Sequence, residues 1–156
     1  MAMLPWDDPA LARALHVAAI VHWIGGLWLV SSVVLADRAP AEAVLARFLA
    51  IERRFAPQAR LSVLLAGASG LWLTARLDLW WRFAEPGFWW MHGMVGLWLL
   101  FAIVLFVAEP LFLHRWFDRL AARDPDRALR LARRGHLALT TLASLVILGS
   151  VAGAHG

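Results

Sequence analysis

The sequence predicts an all-α integral membrane four-helix bundle with both termini on the periplasmic side. Three observations carry that expectation. Of the 156 residues, 62% are hydrophobic and 17% charged, with a mean hydropathy of +0.66. A soluble domain has about 45–50% apolar and about 25% charged residues, so this chain has too little polar surface to cover a soluble core. The apolar residues fall into four long runs, and the arginines gather between them.

The first run covers residues 11–35 and the second residues 61–75. The third, residues 88–113, is the strongest, and the fourth covers residues 136–154. A crossing helix needs about 20 apolar residues to span a hydrocarbon core about 30 Å thick. The second run is short, but Arg60 and Arg76 at its ends can snorkel to the two interfaces. The first run is too long and too polar-flanked for a cleaved signal peptide, and is expected to stay in the mature protein. Between the runs, residues 41–55 and 124–134 are rich in Ala, Leu, Glu and Arg and read as helix. Asp124-Pro125 has the chemistry of a helix start, Asp as cap and Pro in the first turn.

Orientation follows from the arginines. One connection carries Arg38, Arg47, Arg53 and Arg54; another carries Arg115, Arg119, Arg123, Arg127, Arg130, Arg133 and Arg134. The opposite side has Arg13, Arg76 and Arg82. Positive charge stays on the cytoplasmic side, which places both ends outside a bacterial inner membrane. The net charge of +4 and the pI near 11.4 therefore reflect topology, and nucleic acid is not an expected partner. Trp80, Trp81, Trp89 and Trp90 cluster on the exterior side, as anchors at the headgroups do.

The chain has no Cys, Lys or Tyr, and all of its basic residues other than histidine are Arg. Iron–sulfur clusters, thiolate-bound haem, Cys-based zinc sites and Schiff-base chemistry are thereby excluded. Ionisable groups inside spans are costly and ask for an explanation. His16 lies roughly 7 Å below the exterior boundary and His92 roughly 6 Å, at 1.5 Å per residue. Two imidazoles at one depth on two helices can take the axial positions of haem b or share a metal ion. Arg13, Arg76 or Arg82 on that side can pair with propionates, since Arg matches carboxylates bidentately.

Gly67, Ser69, Gly70, Gly93 and Gly96 suit either a flat ligand or ordinary small-residue packing. His22 is about 120° around the helix from His16. It reads as a second ligand, a proton-relay group or a neutral histidine bonded to a backbone carbonyl. An alternative set of His22, Met91, His92 and Met94 suits Cu(I). Met91 and His92 diverge by about 100°, so that set needs help from another span. His114, His136 and His155 lie near span ends, where a solvated ring is the ordinary state. No nucleophile elbow, HExxH or phosphate loop is present, which removes support for a conventional hydrolase or transferase.

The segments Ala14-Leu15-His16 and His22-Trp23-Ile24-Gly25-Gly26-Leu27-Trp28 resemble the first span of the CopD-like and HemJ-like membrane proteins. Glu52-Arg53-Arg54-Phe55 through Leu61 to Gly70-Leu71 is similar to their second span. Trp90-Met91-His92-Gly93-Met94 is similar to the start of their third, and Arg133-Arg134 precedes the fourth. The resemblance covers nearly the whole chain on short, hydrophobic motifs. It implies a four-helix bundle, with haem b and porphyrinogen oxidation on one side of the family and copper handling on the other. HemJ-like proteins carry a Lys near the position of Met94; this chain has none, which argues against protoporphyrinogen oxidase activity.

The expectation is an inner-membrane haem b protein, with His16 and His92 as axial ligands. It would serve electron transfer or a haem-linked oxidation near the periplasmic leaflet, and as an enzyme it would be a haem-dependent oxidoreductase. A copper-binding or transport protein and a cofactor-free assembly subunit are the alternatives. Expected partners are the bilayer, a redox partner or quinone, and a second copy of the chain.

Overall fold

The structure, a computed structural model, describes residues 8–155, with side chains through Gly153. Helix α1 is Asp8–Leu29 and continues as π-helical turns over Val30–Val34. Helix α2 is Ala41–Arg76. Two 3₁₀ turns, Trp80–Ala84 and Pro86–Phe88, lead into α3, Trp89–Ile103. A π-helical stretch, Val104–Leu113, joins α3 to α4, His114–Arg123, and α5 is Pro125–His155. No strand occurs among the described residues.

Three helical stretches are long and apolar enough to cross a bilayer: Asp8–Val34, Pro86–Arg123 and Pro125–Gly153. Their outward faces carry large apolar side chains, such as Val21 (65% exposed) and Leu148 (67% exposed). Lipid is the solvent that makes such faces stable. This is a multi-pass membrane protein.

The arginine-bearing connections are more regular than loops. Residues 41–55 run without a break into the second apolar run as one 36-residue helix. Arg, Ala, Leu and Glu are all strong helix formers, so the arginines leave the helix intact. Asp124 behaves as its sequence suggests: its Oδ1 accepts the backbone N–H of Arg127 at 2.9 Å, with Pro125 opening α5. At the other end of α2, Asp78 adopts φ 50°. Leu79 N–H donates to Thr74 O (2.9 Å) and Asp78 N–H to Ala75 O (3.4 Å), which closes the helix with a Schellman turn.

Two cores fill the molecule. One, at the arginine-rich end, joins Val30, Leu35, Val44, Phe48, Ala128 and Leu129. The other lies in the apolar middle, where Trp23, Leu27, Val63, Leu97, Phe101 and Ala143 meet; Phe101 stands edge-on to Trp23 at 4.6 Å. Hydroxyls bridge α1 and α5: the Ser31 and Thr140 hydroxyls are 2.8 Å apart, and Trp28 Nε1 donates to Ser144 Oγ at 3.2 Å. Such bonds hold helices together where no hydrophobic drive acts between them.

Candidate functional site

At the tryptophan-rich end the helices do not close. They leave a cavity of about 680 Å³ whose walls include His16 and Ile20 from α1, Gly70 from α2, and Met91, Met94 and Trp98 from α3. Trp80 and Phe83, from the turn after α2, form part of the same wall. That volume is of the size that takes a cofactor or drug-sized molecule, about 300–1,000 Å³, and is far more than a bare ion requires. Among its lining residues Leu64 (53% exposed), Leu71 (61%) and Val95 (42%) also face outward. The cavity therefore reaches the outer surface along α2 and α3.

Among the described residues, His16 is the one ionisable group in its lining. Its Nδ1 lies 2.9 Å from Ala66 O and 3.0 Å from Ser69 Oγ. A carbonyl oxygen can only accept, so the proton sits on Nδ1 and is shared with Ser69. The Ser69 hydroxyl in turn donates to Leu65 O at 2.5 Å. In a neutral imidazole this leaves Nε2 with an uncommitted lone pair. Nitrogen ligands of metals are commonly set up in this way, with the second ring nitrogen donating to a backbone carbonyl that fixes tautomer and ring angle.

Two glycines make the arrangement possible. A Cβ on Gly70 would stand 3.0 Å from His16 Cε1, and one on Gly67 would stand 2.6 Å from the Trp98 indole. The indole thus lies flat on α2, and Trp98 Nε1 donates to Val63 O at 2.8 Å. Both glycines are filled by protein side chains, so small-residue packing accounts for them.

The other residues singled out from sequence distribute as follows. His92 is exposed on α3, its ring edge-on to Phe83 at 5.3 Å, and it does not line the cavity. His22 is exposed on α1 with its ring 5.6 Å from Phe55. Arg13 and Arg76 are exposed and lie outside the cavity wall. Arg82 is folded over Phe88 (4.9 Å) and Trp81 (5.5 Å). Of the set His22, Met91, His92 and Met94, only the two methionines line the cavity. No group of three or more His, Cys, Asp or Glu among the described residues could hold a metal ion. The side chain of His155 lies outside the described residues.

Sequence reasoning missed Trp98, Trp80 and Phe83 as wall residues. Met91, Met94 and Trp98 recur at helical spacing, which was the available signal. However, α3 is apolar all round, so no polar face marks the side that packs.

The arginine-rich end holds a second polar group. Arg60 Nε donates to Leu105 O at 3.1 Å, and its Nη2 lies 3.3 Å from Glu109 Oε2. In the i→i+5 register of the π-helical stretch, Leu105 O would accept from residue 110. Pro110 has no N–H to give, so Arg60 supplies the missing donor. Glu52 Oε1 lies 3.9 Å from His136 Nε2, and Phe48 stands edge-on to the His136 ring at 5.2 Å. Burial, and then the charge of Glu109, push the Glu52 carboxyl up to about 7.

Comparison of the chain with protein-family models, with curated proteins and with solved structures finds no match.

Proposed function

We propose that this is a CopD-like or HemJ-like protein of the bacterial inner membrane that binds haem b and serves electron transfer or a haem-linked oxidation near the periplasmic leaflet. In this reading α2 makes a fourth crossing between Arg60 and Arg76, and both ends of the chain lie outside. The arginine counts on the two sides support that orientation.

One observation carries the ligand reading. His16 is held by Ala66 O and Ser69 so that Nε2 keeps its lone pair, beside an apolar cavity of cofactor size. The donor chemistry of that nitrogen and the volume beside it both fit a haem with His16 as an axial ligand. When bound, haem supplies a one-electron couple. The chain's own residues orient the imidazole through α2, exclude water with Trp23, Trp98 and Leu97, and present Trp80 and Phe83 at the mouth.

The test is a reduced-minus-oxidised absorption spectrum of the detergent-purified protein, made in a haem-sufficient host, with copper quantified on the same sample. A sharp low-spin α band lost in His16→Ala and kept in His92→Ala is the expected result. A stoichiometric copper signal without porphyrin, or a wild-type spectrum in His16→Ala, overturns the reading.

A further inference from the structure

The haem reading leaves the face of the ligand opposite His16 without a partner, because His92 is exposed and does not line the cavity. The register of α2 against α3 identifies what stands there. Trp98 touches α2 at Val63 and Gly67. These helices run antiparallel, so four residues back along α3, about 6 Å, corresponds to about one turn further along α2. That step carries Trp98 to Met94, and Val63 and Gly67 to the level of Gly67 through Gly70. His16 is docked at that level, on Ala66, Ser69 and beside Gly70.

Met94 thus lies at the depth of His16, arrives from a different helix and lines the same cavity. It packs against the apolar core formed by Trp23, Leu97 and Phe101, which limits its freedom. Met91 lines the cavity too, but it sits three residues, about 4.5 Å, nearer the tryptophan-rich end. His92 shares this depth range and fails on direction, being turned about 100° from Met91 onto the outer surface.

We propose that Met94 is the second axial donor, so that the ligand held by His16 is a His/Met-coordinated haem; this rests on the haem reading above. A thioether is a soft donor that favours the reduced iron and raises the potential relative to a second imidazole. An imidazole already fixed on one side and a thioether on the other suit a group that cycles between ferric and ferrous states without exchanging its ligands.

The experiment uses the full-length protein in detergent, loaded with haem, as wild type and as Met94→Leu, Met91→Leu, Met94→His and His92→Ala. Leu conserves the volume of Met, so folding is checked by elution profile and haem content in each variant. The readouts are the sulfur-to-iron charge-transfer band of the ferric form, the spin state, carbon monoxide binding by the ferrous form, and the midpoint potential. Wild type and His92→Ala are expected to show the band and a low-spin spectrum; a band lost in Met91→Leu and kept in Met94→Leu would assign the thioether to Met91 and overturn the proposal. Met94→Leu loses the band, becomes high-spin and binds carbon monoxide. Met94→His returns to low spin without the band, at a lower potential. A band and spin state unchanged in Met94→Leu overturn the Met94 assignment while leaving the haem reading standing. Failure of the wild type to take up haem overturns both.

Discussion

Around Val44 and Ala128, at the arginine-rich end, side chains are sealed at 0% exposure. Around His16, some turns away along α1, about 680 Å³ is open within the same set of helices. The two ends differ in what meets the small residues at their helix junctions. At the filled end a pair of small residues, Ala128 and Ala132, lets α5 close on Val44 and Leu45. At the open end the small residues of α2 are already taken by Trp98 and His16. Those two rings cover the α2 surface, and the space beside them stays open. The comparison teaches that space at a helix junction depends on which side chain occupies the glycine, and not on how many glycines there are.

The largest test of this contrast adds the same kind of bulk to both ends. Ala128→Leu should cost about 3 kcal/mol, since overpacking a full core forces strain. Ile147→Phe, at the wall of the cavity, should cost under about 1 kcal/mol for the same reason in reverse. Unfolding titrations in mixed micelles measure both. Equal losses would mean that the cavity is not available space.

Arg60→Met sharpens the contrast at the filled end. It leaves Leu105 O and Glu109 without their donor, and should cost about 2 kcal/mol, in the range of a charge-assisted bond. The same titration checks it. A loss near zero would show that the π-helical stretch closes its own carbonyl.

The pH dependence is smaller and has a definite sign. The Glu52 carboxyl is raised from 4.5 to about 7, so the folded state holds this proton more tightly than the unfolded chain does. Its contribution is complete below pH 4.5 and is lost as pH rises through about 7. Glu52→Gln should match the wild type near pH 4.5 and exceed it at pH 8. Thermal unfolding at the two pH values decides; a variant less stable at pH 8 would show that the Glu52 charge is paired with a cation. The smallest effect is at the end of α2. Asp78→Gly should gain about 0.5 kcal/mol, because a left-handed φ is costly for a side-chain-bearing residue and free for Gly. A loss there would mean that the Asp78 side chain holds the turn.

Much of this was legible in the residues. Three of the four apolar runs coincide with helices long and apolar enough to cross a bilayer, since hydrocarbon leaves no other way to satisfy a backbone, and Asp124-Pro125 gives the start of α5. His16 stood out because a membrane imidazole demands a partner, and it has one in Ala66. The expected partner His92 does not line the cavity beside it. Rise per residue fixes depth from sequence alone, but direction depends on which face packs. In a helix as uniformly apolar as α3 the one-residue step from Met91 to His92 separates the buried face from the outer one. The continuity of α2 through Arg47, Arg53 and Arg54 was hidden for another reason: arginine signals the interface and favours helix at once. The π-helical register at Pro110 has no local sequence signature, since its donor comes from Arg60 on another helix.

The anchor of His16 has a consequence for how this chain can change over generations. Its acceptor at Ala66 is a main-chain oxygen, present whatever residue is encoded there. Drift at position 66 is thus constrained in size, Ala66 being 4% exposed, and unconstrained in the chemistry that sets the tautomer. Ser69 is a removable assistant. A lineage can retune the strength of the imidazole by editing Ser69 while the backbone keeps its proton in place, so the site can be adjusted without first being broken.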